Sequence, residues 1–486
     1  MKPQLHLATL LGALTALVVS SAFAAENPKP NIIHIMVDEP GYFEAGFMGN
    51  KLLHTPNMDR LAASGVIMMN LFSGGQNCAP ARATLLTGKH TGHTSVRGNS
   101  GDNSLRADEK TTAEVLKTQG YATGGFGKWG IGGRDSTGVP EKHGFDVFFG
   151  YYDQVHAHTY YPPYLIRNSE EVPLPGNHGG TQGQTYAQYQ IHDAALKFIR
   201  EHAGKQPFFA YLPYTPPHGI YAIPDNDPAL ARYQDKPWPK DAILYAAMNT
   251  MVDREIGEVL DLLKSLNIES NTLVFFSGDN GGQERFVDAQ HPHGLFSPNK
   301  DPNGPTEFRG WKGGPYEGGI RVYFAATWPG KIAPGRVSQH LGYFPDMLPT
   351  MAEAAGATVP KEVDGVSFLP ELIGEPAAGR KQAQHDYLYW ESDQWEAIRQ
   401  GDWRAVNQHK TKKWELYNVA TAAGESQDVA AQHPEMLAKL QALAKAAHDP
   451  MLPGNYSTRE RADRDRRPGR NPAATPKKGK TKAKTE

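Results

Sequence analysis

The chain has 486 residues, 39% apolar and 21% charged, a size that suits one large domain or two and a substantial buried core. Fifty basic residues against 52 acidic ones leave a formal charge of -2, which argues against a dedicated nucleic-acid binder. No interior run of about 20 apolar residues occurs, so stable membrane insertion is not expected, and the single cysteine precludes an intramolecular disulfide.

Met1-Lys2 begin a short basic segment, and Leu7 to Val19 is apolar. Ser20-Ser21-Ala22-Phe23-Ala24 then supplies an Ala-x-Ala site. This layout predicts a signal peptide over residues 1–24, and a periplasmic or secreted mature protein. The alternative is an uncleaved N-terminal anchor.

Pro30 to Val37 reads as a buried strand ending at Asp38-Glu39. Thr55 and Pro56 open a helix. A second helix runs from Ala79 to Thr87, with Cys78 at its N-terminus, and a third from Thr111 to Gly120. Strands are predicted at Tyr121 to Gly125, Phe208 to Tyr214 and Thr272 to Ser277. Helices at Tyr186 to His202 and Lys240 to Leu266 precede the last two. This alternation predicts an α/β fold, a large and mostly parallel sheet sandwiched by helices. Ligands in such folds gather at the carboxyl ends of strands, so Asp38-Glu39 and Asp279-Asn280 should meet there.

The catalytic domain is expected over residues 25–365. Short strands at Tyr387 to Trp390, Glu396 to Arg399, Trp403 to Val406 and Trp414 to Tyr417, then a helix at Pro434 to His448, predict a smaller α+β subdomain over 366–456. Residues 457–486 carry eleven Lys/Arg against four Asp/Glu and almost no apolar content. They are expected to form a disordered basic tail.

The densest chemistry lies in Cys78-Ala79-Pro80-Ala81-Arg82, followed by Leu85-Leu86-Thr87-Gly88. A helix N-terminus favours negative charge and offers free N–H groups, and Arg82 adds a fixed cation one turn on. A lone exported cysteine can be a buried small hydrophobe or a reactive group. Asp38-Glu39 and Asp279-Asn280 are oxygen-rich pairs that suit calcium or magnesium better than zinc. An Asp-Asn-Gly-Gly alone is also a turn former.

These blocks resemble the formylglycine-dependent type I sulfatases of the alkaline-phosphatase-like superfamily, from about Asn31 to Val429. The resemblance implies that Cys78 is oxidised to formylglycine (3-oxoalanine) by a maturation enzyme. It implies a Ca2+ or Mg2+ site of Asp38, Glu39, Asp279 and Asn280 with residue 78. It also implies that Arg82 and Asp279 serve the nucleophile, that Lys128 and Lys312 bind sulfate, and that His218 protonates the leaving group. Two positions depart from the family pattern. Glu39 stands where an aspartate is usual, and Gly130 where many members have a histidine that supports the formylglycine. His158 is a candidate substitute, or an ordinary loop histidine.

The expected activity is release of sulfate from a sulfated saccharide, with aryl sulfates as simpler substrates. His156 to Tyr164, Arg285, His291 and His293 are candidates to line the pocket. A phosphonate or phosphate ester hydrolase and a non-catalytic glycan-binding descendant are the alternatives.

Overall fold

The computed structural model describes residues 29–421 and 424–468. The expected signal peptide and the end of the basic tail lie outside the described residues.

The strands are β1 (Asn31–Val37), β2 (Val66–Phe72), β3 (Ala122–Lys128), β4 (Val147–Tyr151), β5 (Tyr164–Arg167), β6 (Glu170–Pro173), β7 (Phe208–Tyr214), β8 (Thr272–Gly278), β9 (Phe324–Thr327) and β10 (Arg336–Tyr343). They form one 10-stranded sheet in the order β10-β2-β9-β8-β1-β7-β3-β4-β5-β6. Its centre, β8-β1-β7-β3-β4, is parallel throughout. β9 and β5 run against their neighbours. Every residue of β1, β7 and β8 is buried, as continuous apolar runs covered on both faces should be.

One apolar cluster covers one face of the sheet with the Ala187–His202 and Lys240–Ser265 helices. A second covers the other with the Cys78–Thr87 and Met347–Ala355 helices. The fold is thus the expected large, mostly parallel sheet sandwiched by helices. Among the described residues no helix is long and apolar enough to cross a membrane.

A second, antiparallel sheet is built from β11 (Leu388–Glu391), β12 (Trp395–Gln400), β13 (Trp403–Gln408) and β14 (Lys413–Asn418). The Pro434–Ala446 helix packs on it. This sheet reaches the larger one through buried tryptophans. Trp390 Nε1 donates to the Ser73 carbonyl at 2.7 Å, and Trp395 Nε1 to the Gly313 carbonyl at 3.0 Å. Both carbonyls sit in loops beside Cys78 or Lys312, so the small sheet braces the site described below.

The expected disorder from residue 457 needs correction. Glu460–Arg466 is a helix, and Asp465 is fully buried. Its carboxylate accepts two hydrogen bonds from Arg134, at 2.8 and 2.5 Å, and one from the Tyr164 hydroxyl at 2.8 Å. Arg134 itself is almost wholly buried and belongs to the loop after β3. Composition alone reads this highly charged segment as solvated, but a specific buried counter-charge gives it a place to dock.

Candidate active site

Asp38 follows β1, Lys128 ends β3, His218 lies in the loop after β7, and Asp279 and Asn280 follow β8. All are carboxyl ends of parallel strands, where peptide dipoles and loops converge. The Cys78–Thr87 helix points its N-terminus at the same place. Every residue of that helix is buried, consistent with its run of small and aliphatic side chains. Its first turn contains Pro80, and the Ala79 N–H is capped by Asn99 Oδ1 at 2.9 Å.

Cys78 is fully buried. Its Sγ lies 3.2 Å from Asp38 Oδ1 and 3.6 Å from Lys312 Nζ. Ligand atoms of Asp38, Cys78 and His218 all fall within 4.8 Å of one another. Burial, reinforced by the Asp38 charge, pushes the thiol up to about 12, so the unmodified cysteine is no thiolate at neutral pH.

Cations surround the two aspartates. Lys128 Nζ lies 2.6 Å from Asp38 Oδ2. Arg82 donates to the Lys128 carbonyl at 2.6 Å and to Asp279 Oδ2 at 3.1 Å, and stands 3.4 Å from Asp38 Oδ2. Burial disfavours a charged Asp38, but Lys128, His218, Arg82 and Lys312 outweigh it and hold the carboxyl well below the usual range. Asp279 is shifted the other way, upward, by burial and then by Asp38. Asn280 is fully buried, and its side-chain oxygen has no partner. Two buried carboxylates beside an unsatisfied amide oxygen form a donor set that fits a hard divalent cation.

Glu39 behaves differently from Asp38. Its backbone has φ 69°, and its N–H donates to Asp279 Oδ1 at 2.9 Å. Its carboxylate meets Arg285 at 2.6 Å, Lys312 at 3.1 Å and His218 Nε2 at 3.3 Å. Burial raises its pKa, yet His218, Lys312 and Arg285 bring the group down to about 2. The Arg285 guanidinium also sits over the Tyr245 ring, 5.3 Å from its centroid. The sequence offered Arg285 only as a pocket-lining candidate, and nothing in its neighbourhood signalled the bond to Glu39.

Lys312 is held by the Gly-rich loop around it. Its N–H donates to the Gly282 carbonyl at 3.1 Å, and the Gly313 N–H to the Gln76 carbonyl at 3.0 Å. These bonds tie the lysine loop to the loops carrying Asp279 and Cys78. His218 is pushed well below its ordinary value by burial and by Lys312, with Glu39 and Asp38 opposing.

His158 stacks on His218, with ring centroids 4.9 Å apart and planes 14° from parallel. No hydrogen bond between His158 and Cys78 is present among the described residues. The space beside Gly130 belongs to Gln154. A Cβ on Gly130 would lie 2.1 Å from Gln154 Nε2, and the backbone there has φ 78°. His291 and His293 pair with carboxylates outside the buried cluster, His291 with Asp288 at 2.9 Å and His293 with Glu284 at 3.5 Å.

Comparison with known proteins adds to this geometry. The sulfatase family domain matches residues 30–357. The C-terminal domain of N-sulphoglucosamine sulphohydrolase matches residues 311–448. The chain is 30% identical to N-acetylgalactosamine-6-sulfatase of Canis lupus familiaris over 436 residues, 84% of this chain and 77% of the relative. It is 32% identical to arylsulfatase A of Bos taurus over 416 residues, 80% of this chain and 76% of the relative. Among solved structures it is similar to Ps i-CgsB in complex with k-i-k-neocarrahexaose. That match has a TM-score of 0.71 and 27% identity, and covers 86% of this chain and 93% of the other. With the family domain spanning most of the chain and the parallel-strand ends converging on Cys78, the protein belongs to the type I sulfatases and is a sulfuric ester hydrolase.

Proposed function

We propose that the protein releases inorganic sulfate from a sulfated carbohydrate, using an oxygen nucleophile derived from Cys78 by oxidation to formylglycine. The observation that carries this reading is the setting of Cys78. It sits at a helix N-terminus, within reach of Asp38 and Lys312, inside a ring of Arg82, Lys128, Lys312 and His218. The relatives support the carbohydrate. One is an N-acetylgalactosamine-6-sulfatase, and a structural neighbour, Ps i-CgsB, was solved in complex with k-i-k-neocarrahexaose.

A divalent cation, calcium or magnesium, would be held by Asp38, Asp279 and Asn280 with the oxygen of residue 78. Glu39 would join them only by loosening its bonds to Arg285 and Lys312. When bound, the ion would supply Lewis-acid stabilisation of charge on the sulfuryl oxygens, and formylglycine would supply its hydrated aldehyde as the oxygen nucleophile.

The protein's own groups do the remaining work. Arg82 is fixed at both ends of its guanidinium, and so sets the position of Asp279 beside residue 78. Asp279, held there by Arg82, is placed to accept a proton from residue 78. Lys128, fully buried, and Lys312, 13% exposed, offset the negative charge of the sulfate ester. His218, whose Nε2 lies 3.3 Å from Glu39, would take up a proton against its lowered pKa, favoured by the Glu39 and Asp38 charges, and hand it to the departing alkoxide. His158 supports the His218 ring by stacking.

Such substrates are met outside the cytoplasm, which agrees with the export signal read in residues 1–24. Maturation requires a formylglycine-generating enzyme as partner. The test is sulfate release by matured protein over a panel of sulfated saccharides, with an aryl sulfate and its phosphate analogue included. Mass analysis of the Cys78 peptide runs beside it. Selective release that disappears in Cys78→Ala is the expected result. Faster turnover of the phosphate analogue, or full activity in Cys78→Ala, would overturn the reading.

A further inference from the structure

Gly219, Ile220 and Tyr221 directly follow His218 and form one wall of a cleft of about 1040 Å3. The wall is anchored to the site. The Ile220 N–H donates to the His158 carbonyl at 3.1 Å, and the Tyr160 hydroxyl donates to the His218 carbonyl. Tyr221 packs 5.7 Å from the Tyr245 ring that carries the Arg285 guanidinium. The cleft therefore begins where the cationic cluster ends.

Its lining differs in character from that cluster. Gln182, Gln184 and Asn226 offer exposed amides, and the half-buried Tyr221 offers aromatic surface, with the buried Tyr161 behind the lining. Its charged groups are Asp225, Asp241 and Lys240. No ion pair among the described residues engages either aspartate. The catalytic end thus carries several cations, while the cleft is weakly acidic.

We propose that this cleft holds the sugar adjoining the sulfated ring and selects an uncharged sugar there. The inference rests on the sulfatase reading above and narrows its substrate class. Amide side chains supply both donors and acceptors for sugar hydroxyls, and a tyrosine ring covers the apolar face of a pyranose. Asp225 and Asp241 accept hydrogen bonds from sugar hydroxyls, and with Lys240 offsetting one of them they leave a net negative charge that disfavours a uronate or a second sulfate. The selected substrates are sulfated oligosaccharides in which the charged ring has a neutral neighbour, rather than those in which it alternates with uronic acid.

The test uses Cys78→Ala, which reads binding without chemistry. Calorimetry compares three probes: a sulfated monosaccharide, the same ring linked to a neutral sugar, and the same ring linked to a uronate. The expected result is that the neutral disaccharide binds about tenfold tighter than the monosaccharide and about threefold tighter than the uronate disaccharide. The net single negative charge of Asp225, Asp241 and Lys240, acting at about the strength of a surface ion pair, accounts for the discrimination against the uronate. Asp225→Asn combined with Asp241→Asn, which leaves Lys240 as the charge of the cleft, should abolish that preference or reverse it by about threefold. Equal binding of the monosaccharide and the neutral disaccharide would overturn the proposal, as would tighter binding of the uronate. Kinetics of matured protein serve as a separate arm. Failure to release sulfate from any probe would count against the proposed function, while the binding result would still decide the role of the cleft.

Discussion

The Lys128 ammonium lies 2.6 Å from the Asp38 carboxylate, and neither side chain has any exposure to solvent. A buried pair of this kind is costly to break from one side, because the remaining charge stays desolvated. Arg82 stands 3.4 Å from the same carboxylate and offsets part of the loss. Lys128→Met should therefore lower the unfolding free energy of the metal-free protein by about 3 kcal/mol, at the low end of such effects. Denaturant titration checks this. If Lys128 also holds sulfate, kcat/KM should fall far more than the change in folded population explains.

Asn280 allows the proposed ion site to be separated from catalysis. Its side-chain oxygen is buried without a partner, whereas its Nδ2 donates to the Gly281 carbonyl at 3.0 Å. An oxygen that makes no bond in the metal-free protein contributes nothing to that state's stability. Asn280→Asp supplies a charged ligand at the same place, and Asn280→Ala supplies none. Calcium affinity, read by calorimetry on the unmatured chain, should drop at least about tenfold in the alanine variant, on the scale of losing one supporting group of a metal site. Unchanged affinity in Asn280→Ala would remove Asn280 from the ligand set.

Two features of this chain oppose the histidine that the family resemblance implies at position 130, the neighbouring Gln154 amide and the backbone conformation. Gln154 occupies the volume a side chain would need, and the left-handed φ of 78° disfavours any residue with a Cβ. Restoring the family residue with Gly130→His should destabilise the fold by about 2 kcal/mol, through overpacking and backbone strain together. Combining it with Gln154→Ala should recover only the packing part. Thermal melts of the two variants test the separation.

The parts of the fold visible in the sequence were those with one dominant signal. β1, β7 and β8 are unbroken apolar runs followed by turn formers, and the Cys78 helix has a proline in its first turn. β10 was not visible, because its residues alternate in burial and its pairing with β2 shifts register between Ser338 and Leu341. β9 is four residues long and antiparallel to both neighbours, so it carries little pattern of its own. In the site, residue types pointed to the positions, but partners distant in sequence were hidden. Glu39 reads as a plain carboxylate until Arg285, Lys312 and His218 are seen around it. Gln154 beside Gly130 is a packing relation that no local motif encodes.

The Glu460–Arg466 helix is the clearest case in which composition misled. Its place depends on Asp465, which satisfies a buried Arg134. Asp465→Ala leaves that guanidinium with Glu171 at 2.9 Å, a partner one-quarter exposed. The variant should lose about 3 kcal/mol of stability. It should also expose the segment after residue 457 to proteases. Limited proteolysis with mass readout distinguishes this from the native chain, in which the Glu460–Arg466 helix should resist cleavage.

His385 sets a pH dependence remote from the catalytic cluster. Its Nε2 lies 2.7 Å from Asp346 Oδ1, and the side chain is 6% exposed. Asp346 also accepts the backbone N–H groups of Tyr343 and Val366, at 3.0 and 2.8 Å, so its carboxyl is fixed in position. Burial alone would lower the histidine pKa, but the Asp346 charge and hydrogen bond raise it above the ordinary 6.5. A group whose pKa is higher folded than unfolded binds its proton more tightly in the native state. Its stabilising contribution is complete below pH 6.5 and is lost as the pH rises through the raised value. Melting temperature should therefore decline from near neutral pH upward, and His385→Gln should flatten that decline while lowering the plateau on the acid side. A decline of the same size in the variant would assign it to another group.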